Sequence, residues 1–159
     1  MNIEEMMSRY GDEILRLCCL YLGERHLAED AFQTTFVKAW QGRESFRGES
    51  SERTWLTRIA VNTCRDMLRS GWFRMMKRSE PVEMLLDLAA PEQESPAPVR
   101  EAVLSLPGKY REVIVLYYDR EMKLREIAQV LHLPVNSVST RLRRARALLK
   151  EKLGEEVDA

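Results

Sequence analysis

The chain has 159 residues, room for one ordinary domain or two small ones and too little for a large catalytic scaffold. Lysine plus arginine (25) balances aspartate plus glutamate (25), which excludes a uniformly basic chromatin-type binder and leaves local basic patches open. With 45% apolar residues, 7 Gly and 6 Pro, most of the chain can bury a core, so a disordered, collagen-like or low-complexity protein is excluded.

The opening residues Met1-Asn2-Ile3-Glu4-Glu5 lack a basic n-region and an apolar h-region, so no secretory signal and a cytoplasmic location are expected. Ile3, Met6/Met7, Tyr10, Ile14, Leu17/Cys18 and Tyr21 recur every three or four residues. That spacing predicts a helix with one face on a core, ended by Gly23. Adjacent residues do not share a helix face, so Cys18 and Cys19 are not both expected inside. With Cys64 they make an odd set without zinc-type spacing, which reads as buried or incidental thiols and no metal site.

A second helix is predicted from about His26 to Gln41, with Ala28, Phe32, Phe36 and Ala39/Trp40 as its apolar stripe. Its other face carries Glu29, Asp30, Gln33 and Val37, two carboxylates and an amide around an apolar contact. Such a face suits a basic protein partner better than nucleic acid, and it also reads as a plain solvated surface. A polar break at 43–51 follows, and Ser50 or Ser51 can cap a third helix running to about Ser70. There Leu56, Ile59/Ala60, Thr63 and Met67 are expected inside, and Trp55 reads as core. Arg58, Asn62, Arg65 and Arg69 are spaced 4, 3 and 4, so they share the opposite face. Three guanidinium groups can neutralise phosphates, and an amide can read a base edge. Phe46, Arg47, Ser50 and Ser51 in the preceding loop offer an aromatic surface and hydrogen bonds to an unstacked base. An ordinary solvated arginine stripe has the same spacing.

From about 77 to 98 the helical pattern fails. Pro81, Pro91, Pro96 and Pro98 sit among acidic and small residues, the composition of a flexible linker. The run 82–90 is short and acidic, and no core is expected from it. Fully extended at about 3.4 Å per residue, the segment would reach roughly 75 Å, about two turns of duplex DNA at roughly 34–36 Å each.

Helical spacing resumes with a short helix from Arg100 to Leu106 stopped by Pro107-Gly108, then a helix on Tyr110, Val113/Ile114 and Tyr117 ending near Asp119-Arg120. Its apolar run 113–118 is far too short to span a bilayer, so no membrane insertion is expected. Residues 124–131 make a third short helix, His132-Leu133-Pro134 a tight turn, and 135–153 a long last helix. This is a helix-turn-helix pattern, in which small Ala128 permits close approach and Val138, Leu142, Ala145 and Leu149 form the buried side. The other side presents Ser139, Thr140, Arg143 and Arg144, flanked by Arg141, Arg146 and Lys150. Small polar groups at a helix start suit phosphates and base edges, and guanidinium forks suit guanine or phosphate. A merely basic amphipathic helix is the plain alternative. The expected organisation is all-α: a domain over 1–76, a flexible acidic linker over 77–98 and a second small helical domain over 99–159.

Charge follows the same division. Residues 43–78 carry nine Lys/Arg against four acids, and 141–152 carry six against Glu151, with an acidic stretch at 79–100 between them. Two basic segments suit two meetings with a polyanion, or two solvated helix faces. His26 and His132 have no Ser or Cys in a recognisable triad motif, and neither a Gly-rich phosphate loop nor H-E-x-x-H is present. A binding protein without catalytic residues or cofactor is expected. On these residues alone a polymerase subunit, a dimeric helix-turn-helix repressor and a helical adaptor that binds only proteins all remain open.

Three stretches resemble the extracytoplasmic-function (ECF) group of bacterial sigma factors, in that family's order. Leu27-Ala-Glu-Asp-Ala-Phe-Gln-Thr-Thr-Phe-Val-Lys-Ala-Trp40 is similar to region 2.2, which docks on the coiled coil of the polymerase β′ subunit, with Asp30 and Gln33 at contact positions. Phe46-Arg-Gly-Glu-Ser50 and 54–66 resemble regions 2.3 and 2.4, where the loop captures a flipped base of the melted minus-ten element beside the position of Asn62. Residues 106–117 and the helix-turn-helix resemble region 4, which reads the minus-thirty-five element in the major groove. The chain has Asn136-Ser137 where the group often has Gly-Thr, and Ser139 where a basic residue is common. The resemblance implies a monomer that binds core RNA polymerase and promoter DNA, both duplex and melted strand. It also implies an anti-sigma factor that holds the chain inactive.

Overall fold

The computed structural model describes residues 2–69, 82, 85–86 and 97–154. The chain divides into two compact units, Met1–Pro91 and Glu92–Ala159.

The first unit is built on three helices, α1 (Ile3–Leu22), α2 (Arg25–Gln41) and α3 (Glu52–Arg69), each packed on the other two. Asn2 caps α1, its side-chain oxygen accepting the N–H groups of Glu4 (2.9 Å) and Glu5 (3.3 Å). Those two carboxylates lie at the positive end of the helix dipole. Gly23 ends α1 in the left-handed region at φ 71°, which glycine adopts without Cβ strain, and its N–H reaches the Cys19 carbonyl at 2.8 Å. Glu24 caps α2 through a 2.7 Å bond from the Leu27 N–H. Of the two candidate caps for α3, Ser51 serves: its Oγ accepts the Thr54 N–H at 3.1 Å.

In α1 and α2 two sequence expectations fail. Cys18 and Cys19 are both fully buried. The last turns of α1 lie against both other helices, so residues 17–22 are enclosed on more than one side and the single-face rule does not apply to them. Trp40, assigned to the apolar stripe of α2, is 48% exposed. The buried line of α2 runs instead through Leu27, Ala28, Ala31, Thr35, Phe36 and Ala39. The buried hydroxyls of Thr35, Thr57 and Thr63 donate to the carbonyls of Ala31, Arg53 and Ile59 four residues back, which satisfies these three groups inside the packing.

The expected linker over 77–98 lies outside the described residues, apart from Val82, Leu85, Leu86 and the first turn of α4. Val82 and Leu86 are buried, contrary to the expectation that 82–90 adds nothing to a core. The helix expected from Arg100 begins earlier, as α4 (Ala97–Leu104), with Pro98 in a first turn that needs no N–H from it.

In the second unit α5 (Gly108–Ile114) runs on into a π-helical turn over Val115–Asp119, closed by the Arg120 N–H on the Val115 carbonyl at 3.1 Å. Then come α6 (Leu124–Leu131) and α7 (Val135–Leu153), with the bounds their spacing predicted. α7 is the spine, packed by α4, α5 and α6. Its buried line Val138, Leu142, Ala145 and Leu149 shares a core with Leu106, Val113, Leu116, Ile127 and Leu131.

Candidate nucleic-acid and protein interfaces

The turn between α6 and α7 is set by backbone geometry. His132 sits in the left-handed region at φ 57°, and the Leu133 N–H returns to the Ala128 carbonyl at 3.0 Å. Ala128 is buried, in keeping with the close approach read from its small side chain. Pro134 then starts α7, its carbonyl accepting the N–H groups of Ser137 (3.0 Å) and Val138 (3.2 Å). Asn136, Ser139, Arg143, Arg144 and Lys150 are exposed, and Ser137 and Thr140 are half-buried. Asn136, Thr140, Arg143 and Arg144 lie roughly opposite the buried line, at about 100° per residue, and form a polar, cationic face.

The two remaining candidates on that helix, half-buried Arg141 and exposed Arg146, each meet a side chain of their own domain. Arg141 Nη1 lies 3.7 Å from Glu112 Oε1 on α5. Arg146 Nε donates to the Tyr118 hydroxyl at 2.6 Å, and its guanidinium lies 5.3 Å from the Tyr117 ring centre and 5.5 Å from that of Tyr118. The hydrogen bond to Tyr118 is the main reason the Arg146 guanidinium holds its proton more tightly than usual.

In the first unit Arg58, Asn62 and Arg69 are exposed and Arg65 is half-buried, along a single line of α3. Trp55 heads that line, three residues before Arg58 and seven before Asn62. Rather than sitting in the core, it is half-buried and packs on Phe46, ring centres 5.2 Å apart at 52°. The contact seats the 46–51 loop at the top of the arginine row, about 10 Å up the helix from Asn62 at about 1.5 Å per residue. Gly48, at φ 75°, gives the loop its left-handed bend. Arg47 and Ser51 are exposed and Ser50 is half-buried. Arg53, one residue below the loop's other flank, pairs instead with Glu13 of α1 at 2.8 Å.

On α2, Asp30, Gln33 and Val37 form an exposed stripe, Val37 at 53%. Glu29 is half-buried and pairs with Arg25 at 3.8 Å. Trp40, three residues beyond Val37, extends the stripe. Arg43 stacks on its ring at 3.6 Å and donates to its carbonyl at 2.7 Å. Trp40 and Trp55 are the residues that sequence reasoning misassigned. Their spacing from Val37 and Arg58 is the signal that places them on the outward lines, against the usual burial of a tryptophan ring.

Cys18 and Cys19 hold their protons more tightly than an ordinary thiol. A hydrogen bond with Cys64, then burial, pushes Cys18 well above the ordinary thiol range, and burial pushes Cys19 up to about 12. Among the described residues, no group of three or more His, Cys, Asp or Glu side chains is placed to hold a metal ion. No described helix is long and apolar enough to cross a membrane.

A helical unit with a cationic helix-turn-helix, following another with its own arginine row, defines a DNA-binding protein of two modules. Residues 6–74 match the family model for Sigma-70 region 2, and residues 97–149 that for Sigma-70, region 4. The ECF RNA polymerase sigma factor SigW of Bacillus subtilis is 34% identical over 94% of this chain and 87% of its own. The ECF RNA polymerase sigma-E factor of Haemophilus influenzae is 30% identical over 93% and 85%. Among solved structures, that of CnrH in complex with the cytosolic domain of CnrY aligns at a TM-score of 0.67 with 28% identity, over 97% of this chain and 88% of that one. The sigma factor RpoE in complex with the anti-sigma factor NepR from Bartonella quintana shares the fold at 0.68 and 23% identity, over 96% and 99%. The chain belongs to the ECF group of sigma-70 transcription initiation factors.

Proposed function

We propose that this sigma factor divides promoter engagement between its two units. The α2 stripe of Asp30, Gln33 and Val37 docks on the β′ coiled coil of core RNA polymerase. The loop residues Phe46, Arg47, Ser50 and Ser51, with Arg58, Asn62, Arg65 and Arg69, hold the melted minus-ten strand. Asn136, Ser137, Ser139, Thr140, Arg143, Arg144 and Lys150 engage the minus-thirty-five duplex. The observation that carries this reading is the α7 face opposite Val138, Leu142, Ala145 and Leu149, where Arg143 and Arg144 lie exposed beside Asn136. Flipping a base costs on the order of a few kcal/mol, which stacking on Phe46 and hydrogen bonds from Asn62 would offset in part. Phosphate contacts supply much of the affinity and make it salt-dependent.

The same reading keeps the chain in the cytoplasm as a monomer, held inactive by an anti-sigma factor until released. The complex of RpoE with the anti-sigma factor NepR supports that regulation.

A pull-down with core RNA polymerase followed by run-off transcription tests the assignment. The wild-type chain is expected to bind core and direct specific transcripts, and Asp30→Arg to lose core binding with its fold intact. Normal co-purification of Asp30→Arg would refute the docking face. Tight binding of the chain alone to a palindromic operator, as a dimer, would favour a repressor, and core-independent binding to proteins alone an adaptor.

A further inference from the structure

We infer that Arg141 and Arg146 are positioning residues: they tie α7 to α5 and its π-turn, setting the rotation at which Asn136, Arg143 and Arg144 face DNA. The inference rests on the reading that α7 lies in the major groove, and it removes two arginines from the surface that touches DNA.

At about 100° per residue, Arg141 and Arg146 fall about 70° to either side of the line through Val138, Leu142, Ala145 and Leu149. They flank the buried seam symmetrically. Arg141 reaches Glu112, which is only 7% exposed. A carboxylate that deep is held best beside a cation, and Arg141 supplies one from α7. Arg146 reaches Tyr118 on the other flank, and its guanidinium also lies near the Tyr117 ring. The two tyrosines pack edge to face, ring centres 4.9 Å apart.

Both ties end on one continuous segment, 108–119. A single tie would leave α7 able to roll about its seam of small and aliphatic side chains, and ties on both flanks oppose rolling in either direction. The π-turn lies at the residues that supply the tyrosines, and such turns recur where a helix must place a side chain for function. An arginine paired with a buried carboxylate also adds little to phosphate attraction, so the six cations of 141–152 overstate the charge offered to DNA.

The test uses holoenzyme reconstituted from core RNA polymerase and the full chain, with two probes. One is the slope of log affinity against log salt on a short duplex of random sequence. The other is enrichment of an upstream motif from a pool of randomised promoters. Arg144→Ala, a proposed DNA contact, should reduce the salt slope by about 0.9 if it loses one phosphate. Tyr118→Phe keeps the ring and removes one oxygen. Arg141→Gln combined with Glu112→Gln removes the pair without stranding a buried charge. Both variants, and Arg146→Gln, should leave the slope unchanged while weakening motif enrichment about fivefold, the equivalent of one lost hydrogen bond. Arg141→Lys, still able to meet Glu112, should retain the motif. A slope reduced by about 0.9 in the Arg141 or Arg146 variants would make them DNA contacts and overturn the proposal. Undiminished enrichment in Tyr118→Phe and the neutral pair would overturn it as well. If the wild-type chain enriches no upstream motif, the promoter reading fails instead, and the salt slope alone decides between contact and tie.

Discussion

The two units deploy their arginines differently. In the first, the structural cations are separated from the proposed strand-binding row. Arg53 pairs with Glu13 and Arg9 with Glu52 (3.5 Å), both across the start of α3, whereas Arg58, Asn62 and Arg69 lie exposed farther along. In the second, the two kinds alternate on one helix, with half-buried Arg141 and exposed Arg146 each tied to a side chain of the 108–119 segment, and exposed Arg143 and Arg144 between them on the face away from the seam. Position along a helix is enough to sort cations in the first unit. In the second, only a partner more than 25 residues away in sequence reveals which arginine is which.

The units also differ in how they should fail. Leu142→Ala on the α7 seam, buried to 3% exposure, should destabilise the second unit by about 2–5 kcal/mol, as Leu56→Ala should the first. Chemical denaturation followed by tryptophan fluorescence isolates the first unit, since all three tryptophans, at 40, 55 and 72, fall within Met1–Pro91, and far-ultraviolet circular dichroism reports on both. A loss in either variant that spreads over both units alike would break the division.

Alkali should act on the first unit, which holds all three cysteines. Cys19 releases its proton at about 12 in the fold, against 9.0 for an ordinary exposed thiol. The native state therefore keeps a proton that the unfolded chain has lost. Its stabilising contribution is complete below pH 9 and falls by about 1.4 kcal/mol per unit as pH climbs toward 12. Denaturation midpoints measured across that range should fall less steeply in a Cys19→Ala variant.

Arg143→Ala and Arg144→Ala should each weaken holoenzyme binding at promoters that need the upstream element by about 1–3 kcal/mol per lost base contact, read by competition binding. Arg53→Ala removes an exposed pair and should change stability by no more than about 1 kcal/mol, measured by thermal melting, with transcription unaltered. A large transcriptional defect in Arg53→Ala would show that the cations of the first unit are not separated as described.

Much of this was readable from spacing. The bounds of α6 and α7, the tight turn between them and the outward face of Arg143 and Arg144 follow from one unbroken 3.6-residue period and a proline. The failures arise where that period meets tertiary structure. Cys18 and Cys19 are both inside because α1 is enclosed by two neighbours at its C-terminal end, and periodicity assumes one. Trp40 and Trp55 occupy outward lines despite their apolar rings, each partly covered by a neighbour, Arg43 or Phe46, that no local pattern announces. The ties of Arg141 and Arg146 depend on Glu112 and Tyr118, and the π-turn that carries Tyr118 leaves no mark in hydrophobic spacing.

The central claim is that two separate surfaces do two tasks at one promoter, and footprinting of the holoenzyme tests it directly, with permanganate reporting unpaired thymines and DNase I, on the same complexes, reporting upstream protection. The account predicts that Asn62→Ala loses thymine reactivity while keeping upstream protection, and that Arg144→Ala loses the upstream protection first. Equal loss of both signals in both variants, or loss of neither, would contradict it.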